Sequence, residues 1–218
     1  MKSAFRLPFL CLLLLVWTNA LAQKNIYLSN RFDDLSSEHE VLAIIPFFTN
    51  LELGEEIEAS EINRLEQQEG YAVQEALETY FGRGKKKKKF SVRFQNIEDT
   101  NAMLAQNEIS FKNIDRYTIK ELSEILKVDG IISGNMDVNI LLSNGVPTEI
   151  SFLDYILFDA DYGRIGIKIS DGRTGKLLWK YEQEINRKSG KNTEELIDKM
   201  MKKAARKFPY DKENLNKG

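Results

Sequence analysis

Five consecutive lysines, Lys85, Lys86, Lys87, Lys88 and Lys89, form the densest run of charge in the chain, and their chemistry would be contact with an anion such as a phosphate or a lipid headgroup. They follow Gly82 and Gly84, but no Gly-Lys-Ser or Gly-Lys-Thr comes after Gly84, so the phosphate-cradling pattern GxxxxGK[ST] is missing. His39, the single histidine, stands in the polar stretch SSEHEV and reads as a loop residue rather than a general base. No GxSxG, HExxH or GxGxxG element accompanies it. Asp159, Asp161 and Gly163 spell D-x-D-x-G, a fragment of a calcium loop without the remaining ligands. The carboxylate pairs Asp33 with Asp34 and Glu55 with Glu56 have nothing apolar beside them in sequence to raise a pKa and read as solvated charges. Trp179 and Tyr181 alternate along an apolar segment and read as sheet packing. Phe152, Tyr155, Ile156 and Phe158 crowd large apolar side chains between turn residues, and such a group is the candidate partner surface. These residue types point to binding rather than turnover: neither a catalytic residue, a cofactor nor a metal site is expected.

Regular elements must position these groups. The run VLAIIPFFT, residues 41–49, is continuously apolar and predicts a strand covered on both faces. Ile62, Leu65, Val73, Ala76, Leu77 and Tyr80 recur at helical spacing, predicting a long amphipathic helix with Gly70 as a weak point and an end at Gly82 and Gly84. The lysines then fall in a solvated connection just past a helix C-terminus, where the dipole favours them. FSVRF, residues 90–94, predicts a short strand. Asp99 or Thr100 is placed to cap a short helix, and Thr118 with Glu121 forms a capping box for a second one. In VDGIISGNMDVNILL the period of two marks a strand with one wet face, with Gly130 and Gly134 permitting close approach of a neighbour. Residues 143–163 are an aromatic insertion. RIGIKIS and KLLWKYEQEI predict a hairpin joined through Asp171, Gly172, Arg173, Thr174 and Gly175. A last helix starts at Asn192, which caps against Glu195, buries Leu196, Ile197, Met200, Met201, Ala204, Ala205 and Phe208, and is stopped by Pro209. The order implies an α/β (or α+β) fold, a mixed sheet with helices packed on it, in a single domain at 41–210.

The N-terminus MKSAFRLPFLCLLLLVWTNALAQ places Lys2 and Arg6 before an apolar run and small residues before Gln23, the pattern of a secretory signal peptide at 1–22 cleaved near Ala22/Gln23. Its apolar core is too short to span a bilayer, which takes about 20 apolar residues. Cys11, the single cysteine, lies within that core and is not preceded by a lipobox, so the expected product is not lipidated and has no thiol. An N-terminal extension, 23–40, and a polar tail, 211–218, flank the domain. Of 31 basic and 33 acidic residues, loss of Lys2 and Arg6 leaves 29 against 33, a net charge near −4, which argues against a nucleic-acid partner.

Three blocks, VLAIIPFFTNLE, ELSEILKVDGIISGNM and IKISDGRTGKLLWKYEQE, together resemble a bacterial envelope superfamily. It includes the curli-secretion lipoprotein CsgG, the penicillin-binding-protein activator LpoB and the N-terminal domain of TolB. The matching positions are Pro46 and Phe47, then Asp129, Gly130 and Gly134, then Asp171, Thr174, Gly175 and Trp179. The resemblance implies an accessory protein that works by docking. Two departures stand out: the missing lipobox, and a single short insertion where pore-forming members need membrane-crossing hairpins.

The expectation is therefore a periplasmic or secreted, non-catalytic protein that binds envelope proteins or assists assembly. The alternative is a homo-oligomeric structural subunit of a secretion or surface-organelle complex.

Overall fold

The computed structural model describes residues 26–53, 57–86, 89–145, 161–186, 188–204 and 207–212. The chain forms β1 (Ile26–Leu28), α1 (Phe32–Ser36), β2 (Val41–Ile44), β3 (Phe48–Leu51), α2 (Ala59–Lys86), β4 (Arg93–Phe94), α3 (Ile97–Gln106), α4 (Ile119–Leu126), β5 (Gly130–Val138), β6 (Asp161–Asp171), β7 (Leu177–Asn186) and α5 (Thr193–Ala204). The strands make one seven-stranded mixed sheet in the order β1-β7-β6-β5-β2-β4, with β3 also on β5. The segment expected to be a signal peptide, Glu55 and Glu56, Lys87 and Lys88, Phe152, Tyr155, Ile156 and Phe158 of the insertion, and Ala205 lie outside the described residues, as does Asp159.

The run at 41–49 is two strands rather than one. Both β2 and β3 pair parallel with β5, but three residues, Ile45, Pro46 and Phe47, stand opposite two, Ser133 and Gly134, between the pairs Ile44↔Ile132 and Phe48↔Asn135. Proline has no N–H for the ladder, so the strand bulges there. The displaced Phe47 donates its N–H to the Gly70 carbonyl of α2, 3.2 Å away, and its ring is buried over Gly134. Gly134 has to be glycine: a Cβ there would lie 2.0 Å from the Gly166 carbonyl oxygen and 2.3 Å from the Phe47 ring. Gly70, expected as a weak point, is a second obligatory close approach, because a Cβ would meet the Phe47 carbonyl at 2.3 Å and Phe111 at 2.7 Å.

Alternation along the strands sorts the two faces of the sheet. Ile132, Met136, Ile165, Ile167, Ile169, Trp179 and Ile185 face α2 and α5, where Val73, Leu77, Leu196, Ile197 and Met200 complete the main core. On the other face Ala43, Ile45 and Ile131 meet Leu104, Leu122 and Leu126 of α3 and α4. Beyond that patch the second face is polar: Lys168 and Lys180 are half-buried, and Arg164 and Glu184 are exposed.

Several expected boundaries move. α2 runs on through Gly82 and Gly84 to Lys86, so Lys85 and Lys86 belong to its last turn instead of a connection. Lysines there are favoured by the same dipole that favours them just beyond. β4 is only Arg93–Phe94, and Phe90 makes an isolated bridge to Asp211 instead of continuing the strand. The cap of α3 is Asn96, whose side chain accepts the N–H groups of Glu98 and Asp99, not Asp99 or Thr100. The capping box of Thr118 and Glu121 and the cap of Asn192 on the Glu195 N–H form as expected.

Candidate functional site

His39 is the main correction to the sequence reading. Its side chain is 5% exposed, not a solvated loop group. Nε2 lies 3.0 Å from Asp171 Oδ1 and Nδ1 lies 2.6 Å from the Tyr210 hydroxyl. Burial, and after it the charge of Asp171, pushes the Tyr210 phenol far up, so it keeps its proton. With hydrogen on Nε2 the ring donates to Asp171 and accepts from Tyr210, and all three groups are satisfied. Asp171 Oδ2 in turn accepts from the Thr174 N–H at 2.8 Å and from the Thr174 hydroxyl. Burial alone would raise the Asp171 carboxyl, but Thr174 and His39 outweigh it and hold the group below the usual carboxylate range.

Asp129, from the same neighbourhood, accepts the N–H groups of Glu40 and Val41 on Oδ2, both at 2.8 Å, and its own carbonyl accepts the Gly172 N–H at 2.8 Å. These bonds pin the start of β2, the β6–β7 turn and the C-terminal segment to one point. A cleft of about 540 Å³ opens beside them, with Ser123, Lys127 and Arg173 among its walls. The chemistry available in it is limited. A general base needs a free lone pair within hydrogen-bond reach of the substrate proton, and Nδ1 and Nε2 of His39 are both engaged. Ser123 Oγ is buried and has no hydrogen-bond partner among the described residues, so it is not coupled to His39 as a nucleophile would be. Among the described residues no group of three or more His, Cys, Asp or Glu is placed to hold a metal ion.

Other expected residues fall into place as structure. Asp33 and Asp34 are exposed in the first turn of α1. Trp179 is fully buried, with its indole N–H on the Lys207 carbonyl at 3.0 Å, and Tyr181 is buried beside it. Lys89 pairs with Asp211 at 3.0 Å. The sequence reading did not single out Glu69, which is fully buried in α2 and accepts both the N–H and the hydroxyl of Ser143, at the root of the insertion. Its signal was present: Leu65, Glu69 and Val73 are four residues apart and share the buried stripe.

A second cleft, of about 430 Å³, runs along β4 at the end of the sheet, between that strand and α2. Its floor is aromatic: Phe81 is 1% exposed and Phe90 9%, and Phe94 stacks on Phe81 with ring centroids 4.0 Å apart.

No family model and no curated protein matches the chain. Solved structures do resemble it. They include the LpoB C-terminal domain from Salmonella enterica, at 10% identity over 72% of this chain and 96% of that one, with a TM-score of 0.35. Lipoprotein GNA1162 from Neisseria meningitidis is 12% identical over 67% of this chain and 80% of that one, also at 0.35. The PelC dodecamer from Paraburkholderia phytofirmans is 8% identical over 74% and 89%, at 0.34. LpoB was among the proteins the sequence blocks resemble. At such identities and scores, function has to be read from the chain's own geometry. Among the described residues no helix is long and apolar enough to cross a membrane.

Proposed function

We propose that the chain is an exported, non-catalytic binding protein of the bacterial envelope that docks partner proteins through the edge of its sheet. One observation carries this reading. Three of the exposed large apolar side chains, Tyr27 at 48%, Leu28 at 51% and Leu177 at 36%, lie along the sheet edge at β1 and the adjoining start of β7, Tyr27 and Leu28 on opposite faces of it. Natural edges are blunted by shortness, charge, proline or a bulge; β1, with Ile26, Tyr27 and Leu28, has only its shortness, and exposed apolar side chains along it favour contact with another chain. The signal-like N-terminus supports export, and the fully engaged His39 ring supports a role without turnover. The aromatic insertion, with Phe152, Tyr155, Ile156 and Phe158, is proposed as a second contact.

The test is crosslinked capture from the native envelope, with the wild type beside Leu28→Glu and beside a variant carrying Phe152→Ser, Tyr155→Ser and Phe158→Ser. A defined partner captured by the wild type and lost by folded Leu28→Glu is the expected result. Retention of that partner by Leu28→Glu, with loss in the insertion variant, would move the docking site to the insertion. The same apolar edge also favours a second reading, self-assembly into a structural oligomer. Light scattering on a sizing column separates them, because a homo-oligomer dispersed by Leu28→Glu would replace the accessory role.

A further inference from the structure

We propose that the cleft along β4 takes an extended peptide of alternating acidic and apolar residues, added to the sheet as a further strand. The N–H groups of Arg93 and Gln95 are spent on the Glu40 and Leu42 carbonyls, both at 2.8 Å, on the β2 side. Alternation along a strand therefore aims the N–H and C=O of Phe94 the other way. No strand pairs with that side among the described residues, and the cleft opens there. A strand edge beside a helix, with room of about 430 Å³ between them, is the arrangement in which a peptide gains affinity from main-chain hydrogen bonds and specificity from alternate side chains.

Charge and polarity then select the peptide. Phe94 packs toward α2 over Phe81 and Phe90, so the added residue on that face should be apolar. Arg93 projects from the opposite face with its side chain 74% exposed, its ion pair being a loose one with Glu40 at 3.8 Å, and Lys212 adds a second exposed cation at the rim. The wall carboxylate, Glu78, is occupied by the Ile97 N–H at 3.0 Å. An acidic residue on the Arg93 face complements this rim. A membrane surface would complement the charge but would leave the strand edge unpaired, so the peptide is the better occupant.

The proposal rests on the reading of the chain as a binding protein, and its test separates the two. A fluorescently labelled peptide of alternating glutamate and valine is titrated against the exported protein by anisotropy. Binding should saturate and should weaken about tenfold or more in Arg93→Glu, the loss of one charge-assisted hydrogen bond. The lysine–valine counterpart should not bind, nor should a peptide with proline at a pairing position, and amide exchange should slow at Phe94 on binding. Absence of binding, equal affinity in Arg93→Glu, or protection away from β4 would overturn the proposal. So would Arg93-dependent binding of phosphatidylglycerol vesicles with none of the peptide, which would assign the cleft to lipid. Peptide binding that survives in Leu28→Glu while envelope capture is lost shows the two sites to be independent. Failure of the peptide with capture intact would sink only the cleft.

Discussion

Gly134→Ala is expected to lower the melting temperature by about 10 °C, a cost of about 3 kcal/mol, and Gly134→Val to prevent folding. The new methyl would sit 2.0 Å from the Gly166 carbonyl oxygen and 2.3 Å from the Phe47 ring. One obstacle is backbone of the paired strand β6, which cannot turn aside, and the other is a fully buried phenyl. Truncating Phe47 as well therefore rescues only part of the loss, since it clears the ring and leaves the carbonyl. Thermal unfolding of the two single variants and the double variant measures this. Additive losses would show that Phe47 and Gly134 do not share the contact.

Asp171→Asn is expected to cost about 2 to 4 kcal/mol near neutral pH despite its nearly identical shape. The carboxylate uses both oxygens as acceptors, Oδ1 for His39 and Oδ2 for the N–H and hydroxyl of Thr174. An amide has one acceptor, so its NH₂ faces either Thr174, whose N–H cannot accept it, or the imidazole, which accepts it only by moving its hydrogen to Nδ1 and giving up the bond it accepts from Tyr210. The dependence on pH has a definite sign. The folded-state pKa of Asp171 is depressed, so its contribution is present above the ordinary carboxylate pKa of about 4 and is lost as pH falls through the lower folded value. The stability gap between wild type and Asp171→Asn, measured by chemical denaturation, should be wide at about pH 7 and close as the wild type is acidified below about pH 4. A gap that stayed constant into acid would mean the charge of Asp171 contributes nothing.

The sequence carried the layer order well because periodicity reports burial. The alternation of Ile165, Ile167 and Ile169, the stripe of Leu196, Ile197, Met200 and Met201, and the capping box at Thr118 all appear in the structure where the residues placed them. Apart from helix ends, such as the cap at Asn96 and the run of α2 through Gly82 and Gly84, what failed depended on contacts distant in sequence. The break at Pro46 follows from the pairing of β2 and β3 with β5, and a continuous apolar run gives no sign of that register. β1 has only three residues and is a strand because β7 pairs with it, so the stretch before residue 41 read as an extension. His39 looked like a loop residue because its partners, Asp171 and Tyr210, are 132 and 171 positions away. Asp129 was legible only as a position of a resemblance, and Asp171 and Thr174 also as residues of the hairpin turn; the structure gives each a hydrogen-bonding task at one junction. Of the candidate surfaces, the cleft at β4 was hidden in the segment predicted as an ordinary strand after the lysines. Tyr27, Leu28 and Leu177 carry no motif, and their exposure appears only when β1 is placed at the edge of the sheet.

Docking through the sheet edge is tested most directly by a photo-crosslinking amino acid placed at position 28 in the native envelope, with position 202 on the exposed side of α5 as the comparison. A defined crosslinked product from position 28 and none from position 202 is the expected result. Products of equal yield from both positions, or none from position 28 when the protein is folded and exported, would contradict it.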